Sequence, residues 1–331
     1  MTGNDRAGDW ARYWRSDQGA GSIEAMYAHF RSHVYHRHSH ETYSFGVTDD
    51  GAQAFTCRGG HHVSGPNMVM LFNPDDPHDG HAATGPGFTY RMIHITPAQV
   101  EQLLSDAGVS GGWPLFPAPV VNDPELAQSL RRLHAVITAS RISPQPHKHT
   151  ASPTPHEPIP PHEPIPLHEP IAPHEPIAPH ETPRPLSSLQ QHEQLTSTLW
   201  LLSRHAASAT TVTVGDRART SAPTSALIAR RVRERLHDGY ADPLTADDLA
   251  AAAGCSRFAA SRAFSAVYGL APSDYQRQLR LRAARALLTG GASAAEAAAC
   301  AGFADQAHLT RWFRRYYGVT PGVYRQAVGS R

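Results

Sequence analysis

The chain has 331 residues, 40% of them hydrophobic, which is enough apolar material for about two ordinary domains and excludes a wholly disordered protein. Thirty basic residues balance 29 acidic ones, so the whole chain is neither polybasic nor polyacidic. No apolar run approaches the ~20 residues of a membrane helix, no export signal is visible, and the three single cysteines give no disulfide framework. We therefore expect a cytoplasmic protein with no membrane partner.

The residues before position 123 have the pattern of β-structure. Tyr43, Phe45 and Val47 alternate with smaller or polar residues, and the same period recurs from Tyr90 to Ile95. Frequent Gly and Pro turns between these short strands favour a barrel or a sandwich. Two amphipathic helices follow, around residues 123–140 and 186–206, and their apolar faces could pack within the chain or against a second subunit.

A proline-rich segment separates these two helices. Five His-Glu pairs recur every six residues between His156 and Glu181. Proline at two positions of nearly every repeat removes backbone donors, so we predict a disordered linker over residues 141–185. Metal binding by the His-Glu pairs and docking of a partner protein are the alternatives to a simple spacer.

The C-terminal third is basic. From Ser225 onward fifteen arginines face eight acidic residues, a net charge of +7, whereas the rest of the chain carries −6. Such an asymmetry indicates either a polyanionic partner or merely an arginine-rich surface.

Two helix-turn-helix patterns occupy this basic region. In the first, Thr245 to Asp248 forms a capping box, Gly254 breaks the helix, and Ser256 can cap a second helix that runs to Tyr268. In the second, Ser293 to Glu296 forms the capping box, Gly302 lies in the turn, and Asp305 can cap a helix that runs to Tyr317. A helix from Tyr275 to Leu288, with four arginines around it, connects the two units.

The polar faces of the two second helices are the candidate DNA-binding surface. Arg262 and Arg311 are placed to read guanine in the major groove, and Gln306 suits adenine. Arg257, Arg314 and Arg315 are expected to pair with phosphates, although any of these arginines could be a solvated surface charge. The candidate DNA-contacting residues are Arg257, Phe258, Ser261, Arg262, Gln306, His308, Arg311, Arg314 and Arg315.

Residues 226–331 resemble the DNA-binding domain of the AraC/XylS family of transcription regulators. The resemblance is carried by Ala301 to Arg315 and by Gly318-Val319-Thr320-Pro321. It implies a ligand-responsive, sequence-specific DNA-binding regulator, more often an activator than a repressor. The implied partners are double-stranded DNA and a small-molecule effector, with RNA polymerase as a further partner; the helical pair suggests a homodimer.

The β-rich front resembles the cupin-type ligand-binding domain of the same family, on the residues from Tyr35 to Gly46 and from Asn73 to His78. Alternate strand residues point to one side, so His36, His38 and His40 are expected to share a face. The glutamate that metal-binding cupins carry is missing, since Ser44 and Phe45 stand there, and we expect no metal and no cofactor. The candidate ligand-binding residues are His36, His38, His40, Tyr43, His78, Tyr90 and Met92, and histidines hydrogen-bonded at a barrel mouth are the alternative.

These expectations define an α+β multidomain protein. A cupin-like sensor domain with the first dimerisation helix takes residues 1–140, and the repeat linker takes 141–185. A second dimerisation helix takes 186–206, a further linker 207–225, and an all-α DNA-binding domain 226–331. We expect no enzymatic activity; the competing hypothesis is a metal-dependent cupin enzyme that uses His38, His40 and His78 and has a helical tethering or autoregulatory tail.

Overall fold

The structure is a computed structural model that describes residues 8–18, 21–106, 114–139, 188–207 and 223–328. The predicted linker 141–185 and nearly all of the predicted linker 207–225 lie outside these residues. Within them the predicted α+β architecture is confirmed, with an antiparallel β-domain and a helical pair followed by an all-α domain. None of the described helices has the length and apolar character needed to cross a membrane.

Two antiparallel sheets pack against each other in the N-terminal domain. The larger has the strand order β1-β2-β9-β4-β7-β10 and the smaller the order β3-β8-β5-β6. The strands are β1 (Trp10–Gln18), β2 (Gly21–Phe30), β3 (Tyr35–His38), β4 (Tyr43–Gly51), β5 (Gln53–Cys57), β6 (Gly60–Ser64), β7 (Val69–Phe72), β8 (His78–Ala82), β9 (Phe88–Ile95) and β10 (Val120–Val121).

The larger sheet is covered on both faces. On its outer face Tyr43, Phe45 and Ile93 pack against the helical pair, and on its inner face Tyr90 and Met92 belong to the core inside the barrel. Consequently β4 is buried over its first six residues, whereas the sequence pattern predicted a half-buried strand. The helices of this domain are α1 (Pro97–Asp106), α2 (Pro124–Ala139) and α3 (Ser188–Ser203).

The predicted helical pair, α2 and α3, packs within the chain. Leu130, Leu133 and Leu199 are buried against the outer face of the larger sheet, and the hydroxyl oxygens of Ser129 and Thr198 lie 2.9 Å apart between the two helices. The apolar faces are therefore already covered. Among the described residues, the outer surface of the pair remains accessible, and Trp200 on this surface is 63% exposed.

The all-α domain begins at Pro223, slightly before the predicted boundary at 226. Both predicted capping boxes are present, since Thr245 and Asp248 cap one helix and Ser293 and Glu296 cap another. The helices are α4 (Pro223–Asp238), α5 (Ala246–Ala253), α6 (Arg257–Tyr268), α7 (Pro272–Thr289), α8 (Ala294–Cys300), α9 (Gln306–Tyr317) and α10 (Pro321–Val328).

The connecting helix α7 contributes residues to two separate cores. Tyr275 and Leu279 complete the core of the first helix-turn-helix unit, formed by α5 and α6. Leu281 and Leu288 join the core of the second unit, formed by α8 and α9, and that core is continuous with the inner face of the barrel. One rigid helix thus links both units to the sensor domain.

Candidate DNA-binding surface and sensor cavity

The first recognition helix, α6, presents its polar face to solvent. Ser256 caps the helix by accepting a hydrogen bond from the Ala259 N–H at 3.2 Å. Arg257, Phe258, Ser261 and Arg262 are all exposed, Phe258 to 69%, and the Arg262 guanidinium lies 4.9 Å from the centre of the Phe258 ring. An exposed phenylalanine beside an arginine offers both an apolar and a cationic contact to a groove.

Arg257 differs from its neighbours because its guanidinium already forms a salt bridge within the protein. Its guanidinium forms a paired contact with the Asp247 carboxylate at the start of α5. Both side chains are about two-thirds exposed, so water screens the pair and a phosphate can compete for the arginine.

The second recognition helix, α9, is similar, with one exception. Gln306, Arg311, Arg314 and Arg315 are exposed. His308 is half-buried, and its Nε2 accepts a hydrogen bond of 3.0 Å from the Trp312 indole. The Nε2 of His308 is therefore engaged within its own helix, and the side chain is only partly exposed.

The arginines of the connecting helix α7 are bound within the protein. Arg277 lies 3.8 Å from the centre of the Trp312 ring, and Arg280 donates to the backbone carbonyls of Tyr240 and Asp242. Arg282 donates to the Ser39 carbonyl and to Asp75, while Arg285 pairs with Glu24 of the barrel. Part of the basic excess in the C-terminal domain thus meets the acidic sensor domain rather than solvent.

A cavity lies between the two sheets, with the second helix-turn-helix unit across it. Its empty volume is about 560 Å³, and part of this space is open to solvent. The structure places His38, His40, His78, Tyr90 and Met92 in its wall, as the sequence analysis expected. The wall also contains residues that were not predicted from the sequence, among them Tyr35, Glu24, His94, Arg285, Tyr316 and Tyr317.

Two of the expected pocket residues lie elsewhere. The pairing of β3 with β8 shifts register between Tyr35 and His38, so the alternation breaks and His36 points out of the barrel, where it is exposed. Tyr43 lies on the outer face of its strand, and its hydroxyl donates to the Pro114 carbonyl at 2.8 Å. The expectation that these two side chains line the cavity is wrong.

The histidines of the cavity are held in their neutral forms. Burial lowers the pKa of His38 to about 3, and it lowers those of His78 and His94 to about 4. Burial also holds the pKa of His40 well below its usual range. Neutral imidazoles offer both a hydrogen-bond donor and a lone pair to whatever occupies the cavity.

A buried ion pair joins the wall of the cavity to the DNA-binding domain. The Glu24 carboxylate accepts from the Arg285 guanidinium and from the Tyr324 hydroxyl, the latter at 2.6 Å. Burial alone would raise the pKa of Glu24 and lower that of Arg285, but their mutual attraction outweighs it. The pKa of Glu24 is therefore lowered and that of Arg285 raised.

A sequence signal for this pair exists. Arg285 interrupts the apolar face that Leu281 and Leu288 define on α7, and Glu24 shares its face of β2 with the apolar residues Met26, Ala28 and Phe30. A charge on a face that must be buried indicates a buried partner of opposite sign.

Comparisons with known proteins agree with this division. Residues 20–151 match the family model described as an AraC-like ligand binding domain, and residues 249–327 match a helix-turn-helix domain. The HTH-type transcriptional regulator YbfI of Bacillus subtilis (strain 168) is 26% identical over 82% of this chain and 80% of its own length. The transcriptional activator NphR of Rhodococcus sp is 40% identical, but over only 30% of this chain and 29% of its own length.

Among solved structures, the unsaturated fatty acid bound ToxT of Vibrio cholerae strain SCE256 aligns over 100% of both chains, with 10% identity and a TM-score of 0.49. The sensor-type front, the paired helix-turn-helix units and the matches to both family models lead to one assignment. The chain has the domain composition of a transcription regulator, an AraC-like ligand-binding domain followed by a helix-turn-helix domain.

Proposed function

We propose that this regulator binds DNA through α6 and α9 and that a small molecule in the sensor cavity changes the position of α9. The observation that carries the proposal is the continuous core. Phe313 and Tyr317 of α9 and Tyr13 and Phe30 of the barrel belong to one buried cluster. A ligand that moves the cavity wall must therefore act on the second unit.

The roles of the individual side chains follow from their exposure. Arg262 and Arg311 are free of salt bridges among the described residues, so they can form bidentate bonds with guanine. Gln306, at the start of α9, suits adenine, and Ser261 and Phe258 supply smaller contacts. Arg257, Arg314 and Arg315 are assigned to phosphates, for which exact side-chain position matters less.

The effector acts by population shift. The cavity wall includes Arg285, Tyr316 and Tyr317 of the DNA-binding domain as well as the barrel histidines. A ligand that fits one arrangement of the two domains better than another shifts their equilibrium toward it and changes the affinity for DNA by the same coupling energy.

The remaining proposals concern assembly and output. A cytoplasmic homodimer would bring two DNA-binding domains to neighbouring DNA sites. Because the leucines of the helical pair are buried within the chain, the proposed dimer contact is the outer surface of the pair, around Trp200. Activation through RNA polymerase is the proposed output. Trp200→Ala should leave the free energy of unfolding within about 0.5 kcal/mol while weakening dimerisation; an unchanged dimer dissociation constant in analytical ultracentrifugation would exclude this contact.

The DNA-binding proposal is tested by measuring the affinity of the protein for its preferred DNA site, the operator, over a series of salt concentrations. Log K should fall linearly with log[salt], and Arg314→Ala should reduce the slope by about 0.9 because one phosphate contact is lost. Arg311→Ala should weaken the free energy of binding to the operator by about 1–3 kcal/mol and change binding to unrelated DNA little.

Arg230→Ala is the matched control, because Arg230 is exposed on α4, outside the recognition helices, and lies near Glu234. If Arg230→Ala weakens operator binding as much as Arg311→Ala does, the arginines act only through net charge and the assignment of α9 to the groove fails.

A further inference from the structure

Trp312 of the second recognition helix is held by charged side chains of α7 and of its own helix. The Arg277 guanidinium of α7 lies 3.8 Å from the centre of the Trp312 ring, and Arg277 is itself paired with Asp274 at 2.6 Å. On α9, the Arg315 guanidinium lies 5.0 Å from the same ring centre. Two cations close to one indole are attracted to its π-system, so the half-buried ring has little freedom to turn.

The indole of Trp312 determines the tautomer of His308, one helical turn earlier. The indole N–H donates to the Nε2 of His308 at 3.0 Å. An indole nitrogen can only donate, so Nε2 must carry the lone pair and the proton of the imidazole must lie on Nδ1. The ring nitrogen of His308 that remains is therefore a hydrogen-bond donor.

This remaining nitrogen, the Nδ1 of His308, is available to a partner outside the protein. Among the described residues it has no hydrogen-bond partner, and it is not one of the buried side-chain atoms left unpaired, so solvent reaches it. His308 is the third residue of α9, and the Asp305 cap accepts from its backbone N–H at 2.6 Å. The N-terminal residues of a recognition helix are those that reach base edges in the major groove.

We propose that Trp312 is a positioning residue for base recognition, because it makes His308 read the DNA only as a donor. The inference rests on the proposed binding of α9 in the major groove. A donor can bond to N7 or O6 of guanine, to N7 of adenine or to O4 of thymine, whereas cytosine presents only its amino donor there. The second unit therefore rejects cytosine at the base that faces His308.

This selectivity depends on the indole N–H. An imidazole without that bond can carry its proton on either nitrogen, so its Nδ1 can donate to guanine or accept from the amino group of cytosine. Trp312→Phe keeps an aromatic ring near Arg277 and removes the donor to His308. Arg311 cannot produce the same change in preference, because a guanidinium has no acceptor.

Selection of bound sequences from a random DNA pool tests the proposal on the full-length protein. His308→Ala identifies the base position that His308 faces, because the preference at that position disappears. The unmodified chain should disfavour cytosine there by about tenfold or more, and Trp312→Phe should reduce this factor to about threefold or less. The slope of log K against log[salt] should be the same for both, because the phosphate contacts remain.

Trp10→Phe is the matched control, because it makes the same chemical change on β1 of the sensor domain, where the indole stacks with His29. It should leave every base preference unchanged. Rejection of cytosine that persists in Trp312→Phe or disappears in the control would overturn the proposal, as would a His308→Ala variant with unaltered preferences. Absence of salt-dependent DNA binding by the unmodified chain would instead refute the proposed function.

The tautomer can also be measured without DNA, which covers the case in which a variant fails to fold. In proton–nitrogen correlation spectra of the isotope-labelled full-length protein, the His308 ring should show a protonated Nδ1 and an unprotonated Nε2. Its signals are those that vanish in His308→Ala, and in Trp312→Phe they should move towards exchange between the two tautomers. A protonated Nε2 in the unmodified chain would overturn the proposal.

Discussion

The two helix-turn-helix units have the same local design but different surroundings. In the first, Phe264, Leu249 and Tyr275 form a core that belongs to the DNA-binding domain alone. In the second, Phe313, Leu309 and Leu281 share their core with Phe30 and Tyr13 of the barrel. Among the described residues, the second unit shares an apolar core with the sensor and the first unit does not.

This difference separates two tasks that the paired units would otherwise share. The core of the first unit contains no barrel residue, so we expect the shape of this unit to depend less on what occupies the cavity. The second unit is packed against residues that line the cavity, including Tyr316 and Tyr317, so its position depends on the sensor. The connecting helix α7 joins the two units because its first half belongs to the core of the first unit and its second half to the core of the second.

The largest expected effect comes from breaking the buried ion pair. Glu24→Gln leaves the charge of Arg285 buried without a counter-charge and should lower the free energy of unfolding by about 3–5 kcal/mol. Asp247→Asn, in the exposed pair with Arg257, should cost less than about 1 kcal/mol. Both values can be measured by denaturant titration. Similar losses for the two variants would mean that the buried Glu24–Arg285 pair contributes no more to the free energy of unfolding than the exposed Asp247–Arg257 pair does.

The turn glycines provide a like-for-like comparison of the two units. Gly254 and Gly302 both have left-handed backbones, with φ of 66° and 79°. A Cβ at Gly254 would have its nearest neighbour at 3.9 Å, whereas a Cβ at Gly302 would lie 2.2 Å from the Ala241 carbonyl oxygen.

Gly254→Ala should therefore lower the free energy of unfolding by about 1–2 kcal/mol, because alanine is strained in the left-handed conformation. Gly302→Ala should lower the free energy of unfolding by a further amount of about 1–3 kcal/mol, because the backbone at Ala241 must move to admit the methyl group. Thermal unfolding of the two variants measures the difference, and equal melting temperatures would contradict the tighter packing of the second turn.

The smallest expected effect concerns one hydrogen bond across the interface. The Tyr13 hydroxyl donates to the Tyr317 carbonyl at 2.7 Å, at the end of α9. Tyr13→Phe should lower the free energy of unfolding by about 0.5–1.5 kcal/mol. It should also reduce footprinting protection of the DNA half-site bound by the second unit, while protection of the half-site bound by the first unit stays unchanged.

Tyr27→Phe is the control for that experiment, because the Tyr27 ring faces Arg91 and His134 within the N-terminal domain. Equal loss of protection at both half-sites after Tyr13→Phe would show that the two units respond together rather than separately.

Local sequence signals predicted much of this architecture. The capping boxes at Thr245 and Ser293, the serine and aspartate caps of α6 and α9, and the turn glycines all lie where the sequence indicated, because each depends on residues within one helical turn. The exposed arginines of α6 and α9 likewise follow from helical periodicity. The errors at His36 and Tyr43 arose because a register shift and a sheet covered on both faces are not visible in strand alternation.

The sequence by itself determined where the helices of the two helix-turn-helix units begin, which part of the chain is rich in β-structure, and that two basic units lie at the C-terminal end. Only the tertiary structure decided that Arg285 meets Glu24, that Arg282 meets Ser39 and Asp75, and that His94 joins the other cavity histidines. The physical reason is range. Caps and periodicity depend on neighbours within a few residues, whereas a buried charge or imidazole is satisfied by a partner that can lie more than 200 residues away along the chain.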